Sequence, residues 1–149
     1  MKWFIGIVLA LIVLVVGYLV YQTYVVNPRA VAELRDHSNG ELARRAALIT
    51  LPDGRTLPVN YLREADTVFV GADGAWWRQL RGGAVVTLLL RGETLSGRAN
   101  PIENDQRYTT EVFARLRPNA PAWLPDWLNG VLVVINLDTA NRTSEVHGQ

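Results

Sequence analysis

Residues 46–71 read AALITLPDGRTLPVNYLREADTVFVG. Three β-branched or apolar runs, Ala46 to Leu51, Thr56 to Leu62 and Thr67 to Gly71, are separated by PDGR and READ, both rich in turn formers. That pattern predicts an antiparallel meander. Downstream, AWWRQLRGG reads as a helical turn stopped by Gly82 and Gly83. Ala84 to Leu90 and Thr94 to Ala99 flank RGE as a hairpin. Asn104 to Leu116 places Tyr108, Val112, Phe113 and Leu116 on one face of an amphipathic helix. PNAPAWLPDWLNG is a Pro-punctuated connection, and VLVVINL is apolar enough to be a central closing strand. About six strands and one packed helix predict a small closed or half-open β-barrel, because exposed strand edges need pairing.

Upstream of this mainly β (α+β) body, Asn27-Pro28 reads as an N-cap followed by a first-turn proline, opening a short helix PRAVAELRDH that HSNG ends. ELARR suggests a second short helix. Residues 3–26 carry no charge, and WFIGIVLALIVLVVGYLVY has the length of one membrane-spanning helix. Trp3, Tyr18, Tyr21 and Tyr24 sit near its ends, where amphipathic rings favour the headgroup region. A cleaved secretory signal is the alternative, but the run is long for one and no small-x-small site follows it. The expected organisation is a lipid-contacting anchor over 1–26, a helical linker over 27–45, the barrel over 46–138 and a disordered tail over 139–149. The arginines after the span favour a cell-membrane protein with a cytoplasmic body, whereas a short Lys-bearing N-tail suits the opposite orientation equally.

Composition narrows the chemistry. The 149 residues carry 15 basic and 14 acidic side chains. Lys2 is the only lysine, so the rest of the chain sets 14 arginines against 14 acids. A neutral body argues against a polyanionic nucleic-acid partner. Zero cysteines exclude thiol nucleophiles, disulfides and thiolate zinc. The two histidines, His37 in a turn and His147 in the tail, are poorly placed for a Ser-His-Asp device or a metal site. The carboxylate pairs Glu64/Asp66 and Glu103/Asp105 fall in turns or at a helix start, where capping and solvation account for them. Such a barrel, rich in aromatics and arginines but lacking acid-base machinery, suits binding, or redox chemistry in which a cofactor carries the reaction.

Three passages carry a resemblance: GRTLPVNYLREADTVFVGAD, AWWRQLRGGAVVTLLLRGETLSGRA and DQRYTTEVFARLRPNAPAWLPDWLNGVLVVINLD. Together, over about three-fifths of the chain, they resemble the deazaflavin-dependent nitroreductase family, whose split β-barrel is related to the FMN-binding pyridoxamine-phosphate-oxidase barrels. The resemblance implies an oxidoreductase that passes a hydride from reduced deazaflavin or FMN to an acceptor of the nitro or quinone type, and the expected membrane anchor, which holds the site close to lipid-dissolved substrates, motivates the quinone. It implies cofactor contacts at Arg55, Thr56, Pro58, Ala72, Trp76 and Trp77, with Arg55 near the phosphate, and a substrate-pocket role for Trp123. Trp127 would help plug the barrel. It also implies a homodimer, since related barrels often pair through their sheets. The departures lie at the phosphate end. The family's longer basic loop between the first two strands has shrunk to PDGR, the loop before the tryptophans to ADGA, and Asp73 stands where a basic residue is usual. They motivate a second expectation, a cofactor-free degenerate barrel acting as a membrane-tethered binding or assembly module.

Overall fold

A computed structural model describes residues 2–22, 26–121, 123, 125 and 130–138. Its body is a closed, wholly antiparallel six-stranded barrel in the order β1-β2-β3-β6-β5-β4. The strands are β1 (Ala46–Thr50), β2 (Thr56–Glu64), β3 (Thr67–Ala72), β4 (Ala84–Leu90), β5 (Glu93–Ile102) and β6 (Val131–Leu137). Two pairings between strands distant in sequence close it, β1 with β4 and β3 with β6. The last strand, VLVVINL, lies between β3 and β5, a central place consistent with its apolar run. Side chains alternate as strand geometry demands: Ile49, Val68, Val70, Leu88 and Ile135 fill the interior, and no polar side chain is buried among the described residues. The interior is a packed core, so ligand sites belong on the outer face or at the two mouths.

Helices cover the outside. α1 (Lys2–Tyr21) is a 20-residue helix whose side chains from Trp3 to Tyr21 are all solvent-facing. By length and composition it can cross a membrane, a test that a signal sequence also passes. α2 (Asn27–Asp36) seats Leu34 on Ala46 and Leu48 of β1, while a 3₁₀ turn, Leu42–Arg44, adds Ala43 to the same cluster. Asn27 is not the cap expected from Asn-Pro. Val26 already has helical dihedrals (φ −74°, ψ −48°), so Asn27 lies within the helix and no side chain caps it. α3 (Gln106–Leu116) presses Val112 and Phe113 onto Phe69 and Leu132. It starts two residues later than the periodicity predicts, because Asp105 is its cap and accepts from the Tyr108 N–H at 3.0 Å. Asp105→Ala should cost about 1 kcal/mol of stability, read from thermal unfolding. A loss below a few tenths would mean that the cap is solvent-compensated.

Two prolines show where the barrel opens. β2 pairs with β1 from Thr56 onward, but with β3 only from Tyr61 (opposite Val70) to Glu64 (opposite Thr67). Pro58 therefore lies where β2 has no β3 neighbour, a position that tolerates a missing donor. Pro101 likewise lies where β5 has outrun β4 and only β6 flanks it. Beyond Tyr61 and Val70 the strands β2 and β3 splay apart. The chain then leaves β3 and crosses to β4 through a 3₁₀ helix, Ala75–Leu80, which seats Leu80 in the core. The tail after Asp138, Tyr24 and Trp127 lie outside the described residues.

Candidate functional site

The splayed strands and the 3₁₀ helix produce two open clefts that share one wall. Trp76 and Leu57 line both. The first, with a volume of about 610 Å³, carries the side chains of Asp53, Arg55, Arg78 and Gln79 beside Leu57 and Trp76. The second, about 400 Å³, runs over the outer face of β2 between α2 and the end of β3, where Val26, Ala30 and Pro58 face Asn60, Gly71 and Asp73. Trp76 is half-buried on the ridge between them, packed against the core on one side and open on the other. Its neighbour Gly74 leaves the approach open, since a Cβ there would meet only Trp76 Cδ1, at 3.6 Å.

Charge in the first cleft is partly self-neutralised. Asp53 accepts the Arg55 backbone N–H at 2.9 Å and its Nε at 2.7 Å, and also takes Gln79 Nε2 at 3.1 Å. The Arg55 backbone N–H, and after it the Arg55 side chain, hold the Asp53 carboxyl below its ordinary range. The group therefore stays anionic at neutral pH. Both partners are solvent-exposed, so water and salt screen the pair and a phosphate can compete for Arg55. Arg78 sits 5.8 Å from the Trp77 ring centroid and has no acid at ion-pair distance among the described residues. Two guanidiniums against one carboxylate leave the cleft a net positive charge suited to a single phosphate.

The residues singled out from sequence distribute unevenly. Arg55, Pro58 and Trp76 gather around the shared ridge. Thr56 has its hydroxyl 3.0 Å from that of Thr50 across the strand pair, and lines neither cleft. Ala72 is buried in the barrel interior by strand alternation, while Gly71 and Asp73 on either side of it reach the cleft. Trp77 points away from the ridge, into the core edge and under the Arg81 guanidinium, 4.8 Å from its ring centroid. Arg81 in turn makes two hydrogen bonds to Glu103, at 2.8 and 2.6 Å, so Trp77 pins the 3₁₀ helix to the end of β5. Trp123 is 78% exposed and borders neither cleft.

Sequence reasoning missed Leu57, Arg78, Gln79 and Val26, all of which line the site. Arg78 had a usable signal, two positions after Trp76 in a tight turn. Val26 had none, because its role follows from α2 folding back on the barrel. The carboxylates in turns have structural partners: Glu64 pairs with Arg115, Glu103 with Arg81, and Asp73 accepts from Arg117 at 2.9 Å. His37 is exposed, and no cluster of three or more metal-ligating side chains exists among the described residues.

No protein-family profile and no curated protein sequence matches the chain. Solved structures do. A provisionally named pyridoxamine 5'-phosphate oxidase from Listeria innocua superposes with a TM-score of 0.52 at 12% identity, over 65% of this chain and 88% of that one. A 5-nitroimidazole antibiotic resistance protein from Bacteroides thetaiotaomicron, so named provisionally, gives 0.43 at 17% identity, over 65% and 75%. An F420 reductase gives 0.43 at 14%, over 63% and 86%. The first likeness shows that the chain shares the barrel fold of that structure. At such identities it extends to the fold alone, and it does not reach the narrower deazaflavin-dependent nitroreductase family.

Proposed function

We infer that the chain is a membrane-tethered split-barrel oxidoreductase that holds a flavin or deazaflavin across the Trp76 ridge. The observation that carries this reading is the ridge itself, one indole shared by a cleft that holds Arg55 and Arg78 and a second cleft that runs from Val26 to Asp73. Arg55 and Arg78 would take the cofactor phosphate and Trp76 would flank the ring, with Gln79 in reach of polar ring substituents. When bound, such a group supplies hydride transfer, which this chain's own side chains cannot perform. The second cleft would admit the acceptor. Its wall includes Val26, five residues after the end of α1, a chain length of at most about 18 Å. With α1 in a bilayer, the cleft opens near the lipid surface, which favours a membrane-soluble acceptor such as a quinone and a cytoplasmic body with access to reduced cofactor.

The purified, detergent-solubilised full chain should bind FMN or deazaflavin, followed by tryptophan fluorescence and the visible spectrum. Absence of binding at high micromolar cofactor would sink the reading. Asp53→Asn removes the anion that competes for Arg55 and should tighten binding about two- to fivefold, the equivalent of one exposed ion pair. Weaker binding in that variant would mean that Asp53 positions Arg55 rather than competing for it. Two anions beside the ridge, Asp53 and Asp73, favour the second reading of a cofactor-free binding module. That reading predicts uptake of an apolar ligand in the Val26 cleft with no response to either cofactor.

A further inference from the structure

The opposite end of the barrel carries a separate concentration of charge. Antiparallel strands place the β1–β2 turn and the 3₁₀ helix at one mouth, and the β2–β3 and β4–β5 turns at the other. At that second mouth a cleft of about 600 Å³ is lined by Arg44, Arg63, Arg91 and Glu93, with Tyr61 and the buried Leu90 beneath them. Three arginines thus face one acid in a chain whose body, with 14 arginines and 14 acids beyond Lys2, is neutral as a whole. Arg63 Nη1 reaches Glu93 only at 3.3 Å, and its Nε donates to the Ala65 carbonyl at 3.3 Å, bridging the two turns. Arg44 and Arg91 have no carboxylate at ion-pair distance among the described residues.

The backbone at this mouth supplies an independent observation. Ala65 and Arg91, both at φ 52°, are the two non-glycine residues with positive φ among the described residues, and both line this cleft. Arg91-Gly92 forms the two-residue connection between Leu90 and Glu93, both with positive φ, a turn geometry that favours Asn or Gly at its first position. An arginine there is unfavourable for the turn. Strained positions of this kind cluster at functional sites, and the cost is explained if the guanidinium is needed at the mouth.

The geometry points to an oxyanion-binding site at this mouth, in which Arg44 and Arg91, steered by Arg63, hold a phosphate group over Tyr61 and Leu90. The ligand class is a phosphoryl anion, an ester or an anhydride, from a soluble metabolite or a lipid headgroup. The site stands apart from the Trp76 ridge and does not rest on the cofactor reading. Pyrophosphate is the probe for the soluble source. It should raise the Tm of the detergent-solubilised full chain in a saturable way, against chloride at matched ionic strength. Arg44→Ala combined with Arg91→Gly should raise the pyrophosphate Kd at least about tenfold. Arg91→Gly alone should raise the ligand-free Tm by about 2–4 °C, since glycine relieves the turn, so lost binding cannot be ascribed to unfolding. For the headgroup source, the chain in nanodiscs should gain Tm with phosphatidate over neutral lipid, and the double variant should lose that gain. A difference between wild type and double variant in either arm supports the site and identifies its source. Identical responses in both arms, or an Arg91→Gly variant less stable than wild type, overturn it.

Discussion

Gly130→Ala is expected to disrupt the barrel more than any other single methyl addition at a described glycine. Gly130 has φ +74°, and a Cβ built there would lie 2.3 Å from the Ala72 carbonyl oxygen and 2.9 Å from its carbon. Both contacts are to backbone, in the strand that the next residue joins: Val131 opposite Ala72 is the first β6 pair on β3. The overlap can be relieved only by moving β6 away from β3, which weakens one of the two pairings that close the barrel. Positive φ adds about 1–2 kcal/mol for a residue with a Cβ, and the steric overlap brings the total to about 4 kcal/mol, against a usual stability of ~5–15 kcal/mol. Gly54→Ala is the control. Gly54 also has positive φ (+85°) but open space around it, so only the dihedral cost of about 1 kcal/mol applies. Urea unfolding of the two variants should separate them by several kcal/mol. Equal losses would mean that β6 enters the barrel by another path.

Much of the barrel was legible because alternation is a local signal. Each of the six strands falls within three residues of its predicted limits, and the turn glycines Gly54, Gly82 and Gly83 all take the positive φ that their turns require. Closure was less legible. Which strands meet depends on the pairing of β1 with β4 and β3 with β6, contacts between segments far apart in sequence. The site was harder still, because neighbouring residues diverge. Trp76 and Trp77 are adjacent in a 3₁₀ turn with three residues per revolution, so one faces the clefts and the other the Arg81–Glu103 pair. Ala72 and Gly71 differ by one strand position and so by a whole face, the first turned into the barrel and the second toward the cleft. Pro58 could have marked the opening of the barrel, since a proline inside an apolar strand argues for a missing neighbour. The arginine mouth had no linear signal, because its members come from a 3₁₀ turn and two hairpins.

Replacing Trp76 by alanine should remove more ligand binding than any other change on the ridge. Its indole is the wall common to both clefts, so truncation merges them and deprives any bound ring of its flat apolar partner. Loss of aromatic contact and buried area of about 1.5–2 kcal/mol corresponds to a ~10–30-fold rise in the Kd for FMN or deazaflavin. Trp76→Phe keeps a smaller ring in place and should recover most of that affinity. Trp77→Ala provides the opposite pattern. This indole lies beneath Arg81 and against the core edge, so its removal should lower Tm while leaving the Kd within about threefold. Measuring Kd and Tm on all three variants distinguishes a binding wall from a packing pin, two roles that adjacent tryptophans cannot exchange. If Trp77→Ala weakens binding as much as Trp76→Ala, the ring does not lie on the ridge. If only the Val26 cleft loses an apolar ligand in Trp76→Ala, while neither cofactor binds the wild type, the barrel is a binding module whose ligand seats on the Trp76 ridge.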